Sequence, residues 1–330
     1  MSKGNEDVMQ TNLRIGWIGF HMEGIPAFEA LLERGTRIEA AITLAEEQLG
    51  KRSGAVRFDE LARRYHVPLH KIRHINDPES VALLKNLNLD VAFVIGWSQI
   101  VGREALRAVK VGMIGAHAAV LPHNRGSAPV NWAILRGETE GGNTLIWLGE
   151  NVDEGEIIDQ TAFPITPHDT CATVYEKVAQ SNRDMILRLL PKLGAGQRPA
   201  RPQPPTDEPL LPRRRPQDGL IDWSRSSLEV YNFIRALTRP YPGAFSALDG
   251  VRYLIWEAAL LPGDPYPNSQ PGQAIGPVVA PYPGVAGGQV VACGQGAILI
   301  LEVEVPDGSS IRGQALADLE WKGKIWSYGR

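Results

Sequence analysis

Along roughly the first 190 residues, short apolar runs of strand length alternate with helical patterns, and this restricts the fold more than any other feature. Leu13 to Gly19, Arg37 to Thr43 and Asp90 to Gly96 read as strands, and Met113 to Ala116 and Thr144 to Leu148 continue the series. Runs that are apolar throughout belong to strands buried on both faces, as in parallel sheets. Phe28, Leu31 and Leu32 recur at helical spacing, as do Phe58, Leu61, Ala62 and Tyr65. Asp77-Pro78-Glu79 starts another helix, with Asp at the cap and Pro at the first helical position. A long helix is predicted over about Thr170 to Leu190, capped by Asp169 or Thr170. The alternation predicts an α/β core, a doubly wound parallel sheet of Rossmann-like type.

The chain has 330 residues, more than one ordinary core accommodates, so two domains are expected. Residues 195–216 hold seven prolines and little apolar periodicity, which reads as an extended linker without a core of its own. Beyond Gly219 the sequence is rich in Gly, Pro and short β-type runs: Val251 to Ile255, Gln289 to Cys293 and Ala297 to Val305, with one helix near Leu228 to Leu237. The expected layout is a frayed terminus over 1–12, a core domain over 13–194, a Pro-rich linker over 195–217 and a small, mostly β domain over 218–330.

Composition removes several classes of function. The net charge is -3, so no global field draws nucleic acid or an anionic membrane. Cys171 and Cys293 form neither a disulfide framework nor a zinc pattern, and suit a reducing cytoplasm. No apolar run approaches the roughly 18 residues of a membrane helix, and the polar start lacks the apolar stretch of a signal peptide. No metal site is expected. Pairing of the small domain with a second copy stays open, since no sustained heptad or apolar stripe calls for it.

Chemistry concentrates between Gly112 and Gln160. His117 ends a predicted central strand, where open α/β sheets bind ligands. A loop rich in polar side chains and turn formers follows, from Leu121-Pro122 through Asn124, Arg125 and Gly126 to Ala128-Pro129, and Pro129 opens the helix containing Asn131 and Trp132. Asp153 lies in the turn after the next strand. A His at one strand end and an Asp after a neighbouring strand can meet, the carboxylate orienting the imidazole and supporting its charged form. Taken alone, these residues also fit a packed strand-end histidine, a common turn aspartate and a solvated loop arginine.

The run from His117 through Gly155 resembles the formyltransferase family that uses 10-formyltetrahydrofolate. The matching features are His117, Leu121-Pro122, Arg125-Gly126, Ala128-Pro129, Gly137, Thr144 and Asp153-x-Gly155, in order over about 40 residues. The second domain also resembles that family's C-terminal β domain, at Val291-Ala292-Cys293-Gly294 and the strand after it. The resemblance implies acyl transfer from a folate nitrogen to a substrate amine through a tetrahedral intermediate. It gives His117 a donor's role near the oxyanion and the departing nitrogen, and gives Asp153 the tasks of holding His117 and moving protons from the amine. It also implies a folate wall of Ile95, Gly96, Trp97, Gln99 and Ile100, faced by Val152 and Gly155, and substrate contacts from Asn124, Arg125 and Asn131.

One position departs from the family. Two residues before the His the family carries Asn, which helps hold the formyl oxygen, whereas this chain has Gly115. Loss of one such donor costs about 10²–10³ in rate. A backbone N–H, Asn124 or Gln99 supplies the donor, or the protein is slow or repurposed, or it only binds related ligands.

For the acceptor, Ala128-Pro129-Val130-Asn131-Trp132 looks closest to the sugar-nucleotide enzymes of the family. Asp218-Gly219 to Asp222-Trp223 and Pro242-Gly243-Ala244-Phe245 indicate membership rather than acceptor. Residues 205–330 carry 11 Lys plus Arg against 13 Asp plus Glu, a net of -2, where a tRNA-binding domain should present a basic face. A small-molecule acceptor, a nucleotide-linked amino sugar, is therefore expected, with no nucleic acid and no membrane as partner. Another small amine, or methionyl-tRNA, is the alternative acceptor.

Overall fold

A computed structural model of the chain describes residues 12–278 and 287–327. The stretch expected to fray lies outside them, except for Asn12. In chain order the elements are β1 (Ile15–Ile18), α1 (Ile25–Glu33), β2 (Ile38–Leu44), α2 (Glu46–Leu49), α3 (Asp59–Arg64), β3 (Leu69–Ile72), α4 (Pro78–Leu87), β4 (Val91–Val94), α5 (Arg103–Leu106), β5 (Gly112–His117), α6 (Pro129–Leu135), β6 (Glu140–Trp147), β7 (Ile157–Pro164) and α7 (Cys171–Gly194). They continue with α8 (Ser227–Leu237), β8 (Ala244–Leu248), β9 (Val251–Leu260), β10 (Ala274–Val278), β11 (Gly288–Ala292), β12 (Ala297–Glu304), β13 (Ser310–Arg312) and α9 (Gln314–Ala317).

The first of two compact units comprises Met1–Pro129, Glu140–Pro164 and Tyr175–Leu211. Its seven-stranded sheet runs β3-β2-β1-β4-β5-β6-β7. The continuous apolar runs are explained by burial on both faces. Trp17 and Phe93 pack with Phe28 of α1, Phe58, and Met185, Ile186 and Leu189 of α7, and all of these are buried. On the other face Ile18, Ala92 and Val94 pack with Leu84 of α4 and Ala105 of α5. Each such large side chain contributes roughly 1.5–3 kcal/mol by burial. The strands from β3 to β5 are parallel, but β6 pairs antiparallel with β5, and β7 antiparallel with β6. Strand direction was not legible, because buried parallel and antiparallel strands look alike as apolar runs.

The expected linker is no free spacer. Trp147 Nε1 donates to the Pro199 carbonyl (2.9 Å), and the Arg198 guanidinium lies 4.4 Å from the Trp147 ring centroid. Arg201 and Ile157 exchange both backbone hydrogen bonds (2.8 and 2.9 Å). Leu211 N donates to Arg125 O (2.7 Å) and Ser127 N to Leu211 O (3.0 Å), and Leu211 is buried. Proline removes donors and fixes φ, which suits a strap bonded along one edge.

The second unit comprises Val130–Thr139, Ile165–Val174 and Pro212–Arg330, so it includes two segments expected in the core domain. Its antiparallel sheet runs β10-β11-β12-β9-β8, with β13 paired to β12. Ser226 and Glu229 form a capping box that starts α8, whose Val230, Ile234 and Leu237 are buried. The rings of Trp223, Trp321 and Trp326 cluster with Tyr253, at centroid spacings of 5.1–6.0 Å.

Candidate active site

The strand ends of the first unit deliver the expected pair. His117 closes β5 opposite Thr144 and is buried. After β6 the chain folds back along β5, bringing Leu148 against Gly115 and Asp153 against His117. His117 Nδ1 lies 3.4 Å from Asp153 Oδ2, and Nε2 lies 2.8 Å from the Asn124 carbonyl. A carbonyl only accepts, so Nε2 carries a proton. At 3.4 Å the Nδ1–carboxylate approach exceeds normal hydrogen-bond length. Catalytic hydrogen bonds are often long before substrate binds.

Both loops around the histidine carry backbone strain. Asn124, Ala128 and Asp153 all have positive φ (57°, 54° and 55°), a region costly for residues with a Cβ and concentrated at functional sites. Local hydrogen bonds hold them there. Gly126 N donates to Asp153 Oδ2 (2.9 Å), tying one loop to the other. Thr144 Oγ1 donates to Ala119 O (2.6 Å) and accepts from Leu121 N (3.2 Å) and Gln160 Nε2 (2.9 Å), while Gln160 Nε2 also donates to Leu121 O (2.9 Å). Gln203 Nε2 donates to the carbonyls of Asp153 (2.7 Å) and Gly155 (2.8 Å). Gly155 is required sterically, since a Cβ there would stand 1.8 Å from the Trp147 carbonyl oxygen.

Gly115 is closed off differently. A Cβ at this position would meet Leu148 Cδ2 at 2.4 Å and Cγ at 3.1 Å. An apolar side chain thus lines the wall where the family places an amide. Gln99 does not replace that amide: its Oε1 accepts from Ile75 N (2.8 Å) and its Nε2 donates to Arg73 O (2.9 Å), so both ends clamp a neighbouring loop.

The other expected residues divide. Ile95 and Gly96 are buried at the end of β4; Ile95 N donates to Ile18 O (3.0 Å), and Gly96 has φ 65°. Trp97 packs on Phe20 at 5.7 Å, with its buried Nε1 unpartnered. Ile100 is 63% exposed. Val152 and Gly155 flank the Asp153 turn, half-buried. Arg125 Nη1 pairs with Glu154 Oε1 (2.9 Å), and its Nε is buried without a partner. A cavity of about 420 Å³ adjoins this turn, lined by Arg125, Glu154, Glu156 and residues Pro202 to Thr206 of the strap. Asn131, expected at the substrate, is instead fully buried in the second unit and donates to the Ala236 carbonyl (2.6 Å). Helix packing claims that side chain.

Leu148, Gln160 and Gln203 were missed by sequence reasoning. Leu148 read as strand apolarity and Gln203 sat among prolines, so neither gave a chemical signal.

Comparisons with known proteins identify the family. Residues 33–190 match the Formyl transferase family, and residues 214–318 match the Formyl transferase, C-terminal domain family. A methionyl-tRNA formyltransferase of Symbiobacterium thermophilum is 34% identical over 301 residues, covering 90% of this chain and 89% of that protein. The chain belongs to the formyltransferase family, whose members are transferases. Solved structures share the fold. HypX from Aquifex aeolicus, in complex with tetrahydrofolic acid, aligns at TM-score 0.62 and 17% identity over 92% of this chain, which spans only 46% of that longer protein. An N-formyltransferase from Helicobacter canadensis, in complex with folinic acid and dTDP-3-aminofucose, aligns at 0.62 and 17% identity, covering 87% of this chain and 98% of that one.

Proposed function

We propose that this protein transfers a formyl group from 10-formyltetrahydrofolate to the amine of a small acceptor, a nucleotide-linked amino sugar. The observation that carries the reading is the buried His117, held between the Asn124 carbonyl and the Asp153 carboxylate in a formyltransferase-family sheet. The acceptor amine attacks the formyl carbon, forming a C–N bond and a tetrahedral intermediate. The bond from that carbon to the folate nitrogen then breaks, and the proton lost by the amine ends on the departing nitrogen. His117 Nε2–H, which faces the Asn124 carbonyl, is the donor assigned to that oxyanion, and Asp153 supports the ring as charge develops. Ile95, Gly96, Trp97, Val152 and Gly155 form the folate wall, and no step is assigned to a metal. Leu148 against Gly115 leaves this oxyanion site with fewer donors, which predicts a slow enzyme.

Charge supports the small acceptor. In the second unit Arg225, Arg239, Arg312 and Lys324 each lie against a carboxylate, and residues 205–330 carry more acidic than basic side chains, where a nucleic-acid backbone calls for a basic face. The 34% identity to a methionyl-tRNA formyltransferase supports a second reading, with methionyl-tRNA as acceptor. Among the described residues no helix is long and apolar enough to cross a membrane. The two buried thiols are in keeping with the cytoplasm.

The test is incubation of the purified protein with 10-formyltetrahydrofolate and a panel of dTDP- and UDP-linked amino sugars, with mass spectrometry of the product. A formamide on one of them is expected. No product across the panel sinks the sugar reading, and formyl-methionyl-tRNA from a parallel incubation moves the function to the second.

A further inference from the structure

We propose that Gln203 is a positioning residue for the His117–Asp153 pair, acting through the backbone of the Asp153 turn. The inference rests on the formyl-transfer reading above for its effect on rate, but not for its structural content.

Asp153 has positive φ (55°), and its carboxylate reaches His117 only while the turn keeps that shape. The turn's carbonyls at Asp153 and Gly155 both accept from one nitrogen, Gln203 Nε2, at 2.7 and 2.8 Å. A single planar amide therefore fixes two points of the turn on either side of Glu154. The amide is itself held in place. Two residues earlier, Arg201 is locked to Ile157 by the reciprocal pair of backbone bonds, and Pro202 and Pro204 flank Gln203 with fixed φ. Further along, the strap bonds the other loop through Leu211 and Arg125 (2.7 Å). Gly126 N in that loop in turn donates to Asp153 Oδ2 (2.9 Å). The strap thus grips the Asp153 turn from behind and the Arg125 loop from the side. The two carboxylate contacts, to Gly126 N–H and to the imidazole, depend on both grips. Gln203 itself is placed against backbone carbonyls, so its role is to aim Asp153 and not to touch reacting atoms.

The test replaces Gln203 by Met, which keeps length and removes the donor. With the acceptor found above, kcat should fall by about tenfold or more, as misplacement of a catalytic group by a fraction of an ångström predicts. KM for folate and acceptor should change less than about twofold, and the acid limb of the kcat–pH profile should move, a change that loss of stability alone does not produce. Two further readouts need no substrate: the ¹⁵N resonance of His117 Nδ1 should shift at fixed pH, and the Gly126 amide should exchange faster with solvent. An unchanged resonance and unchanged exchange overturn the proposal. So does an unchanged pH profile in a protein where His117→Ala abolishes turnover. If His117→Ala leaves turnover intact, the formyl-transfer reading falls while the resonance and exchange data still decide the role of Gln203. Should Gln203→Met not fold, Gln203→Leu also removes the amide donor without adding charge beside Glu154 and Glu156 and is read in the same ways.

Discussion

Each unit holds one carboxylate that the fold works around, half-buried in the first and buried in the second, and the two are treated in opposite ways. Glu302, inside β12 of the second unit, has its oxygens covered: Oε1 accepts from Ser310 Oγ (2.7 Å) and Arg239 Nη1 (3.0 Å), and Oε2 accepts from Arg312. Burial alone pushes its pKa up, but the hydrogen bonds from Ser310, Arg312 and Arg239 outweigh that and hold it below the ordinary glutamate range. Asp153, on a strained turn of the first unit, stands 3.4 Å from an imidazole that is also engaged by a carbonyl. A carboxylate saturated with donors stabilises. One set at a stretched distance on a left-handed turn is poised to tighten when charge develops.

Substitutions can break this contrast. The largest effect is expected at His117→Ala: kcat should drop by about 10²–10⁴ with little change in Tm, measured by steady-state assay and thermal unfolding. Equal losses of activity and stability would make His117 a packing residue. Next, Gly115→Asn should cost about 1–3 kcal/mol through its clash with Leu148, and adding Leu148→Ala should recover most of it in a double-mutant cycle of thermal unfolding. Faster turnover in that pair would identify the native wall as short of a donor, and slower turnover would identify a differently built site.

Smaller effects sharpen the second half of the comparison. Glu302→Gln should cost about 1.5 kcal/mol at neutral pH, the range for hydrogen bonds to a charged group. Because the folded pKa is depressed, that stabilisation is fully present above the ordinary value of about 4.3 and is lost as pH falls through the lower folded value. Thermal melts of wild type and variant should therefore converge in acid; a gap that persists would assign the loss to packing. Smallest is Ala128→Gly, expected to stabilise by about 0.5 kcal/mol, since relief at positive φ slightly exceeds glycine's entropy cost. A loss would mean that the alanine methyl contributes more than its strain costs.

Much of the first unit could be read from sequence because burial leaves a plain record. The runs at β1, β2 and β4, Pro78 opening α4 and Pro129 opening α6 lie where the periodicity put them. His117 and Asp153 stood out because an ordered set of polar and turn residues surrounds them, and the structure brings the two side chains together. The antiparallel direction of β6 and β7 was hidden, since side-chain pattern does not encode it. Asn131 misled because a polar residue at a helix start looks the same whether it faces ligand or a buried carbonyl. The strap was hidden for a related reason: a proline-rich segment has no periodicity whether it hangs in solvent or lies bonded along a domain edge.

The path of that strap bears on how this chain can be recombined with others. A chimaera joined at residue 195, where composition changes, would exchange the Asp153 turn's clamp along with the C-terminal half. Moving the junction past Leu211 keeps the clamp with the sheet it serves. Even then Val130–Thr139 and Ile165–Val174 remain with the donor of the first half although they fold into the second unit, so interchange of halves between relatives has to carry matched pieces from both sides of the junction.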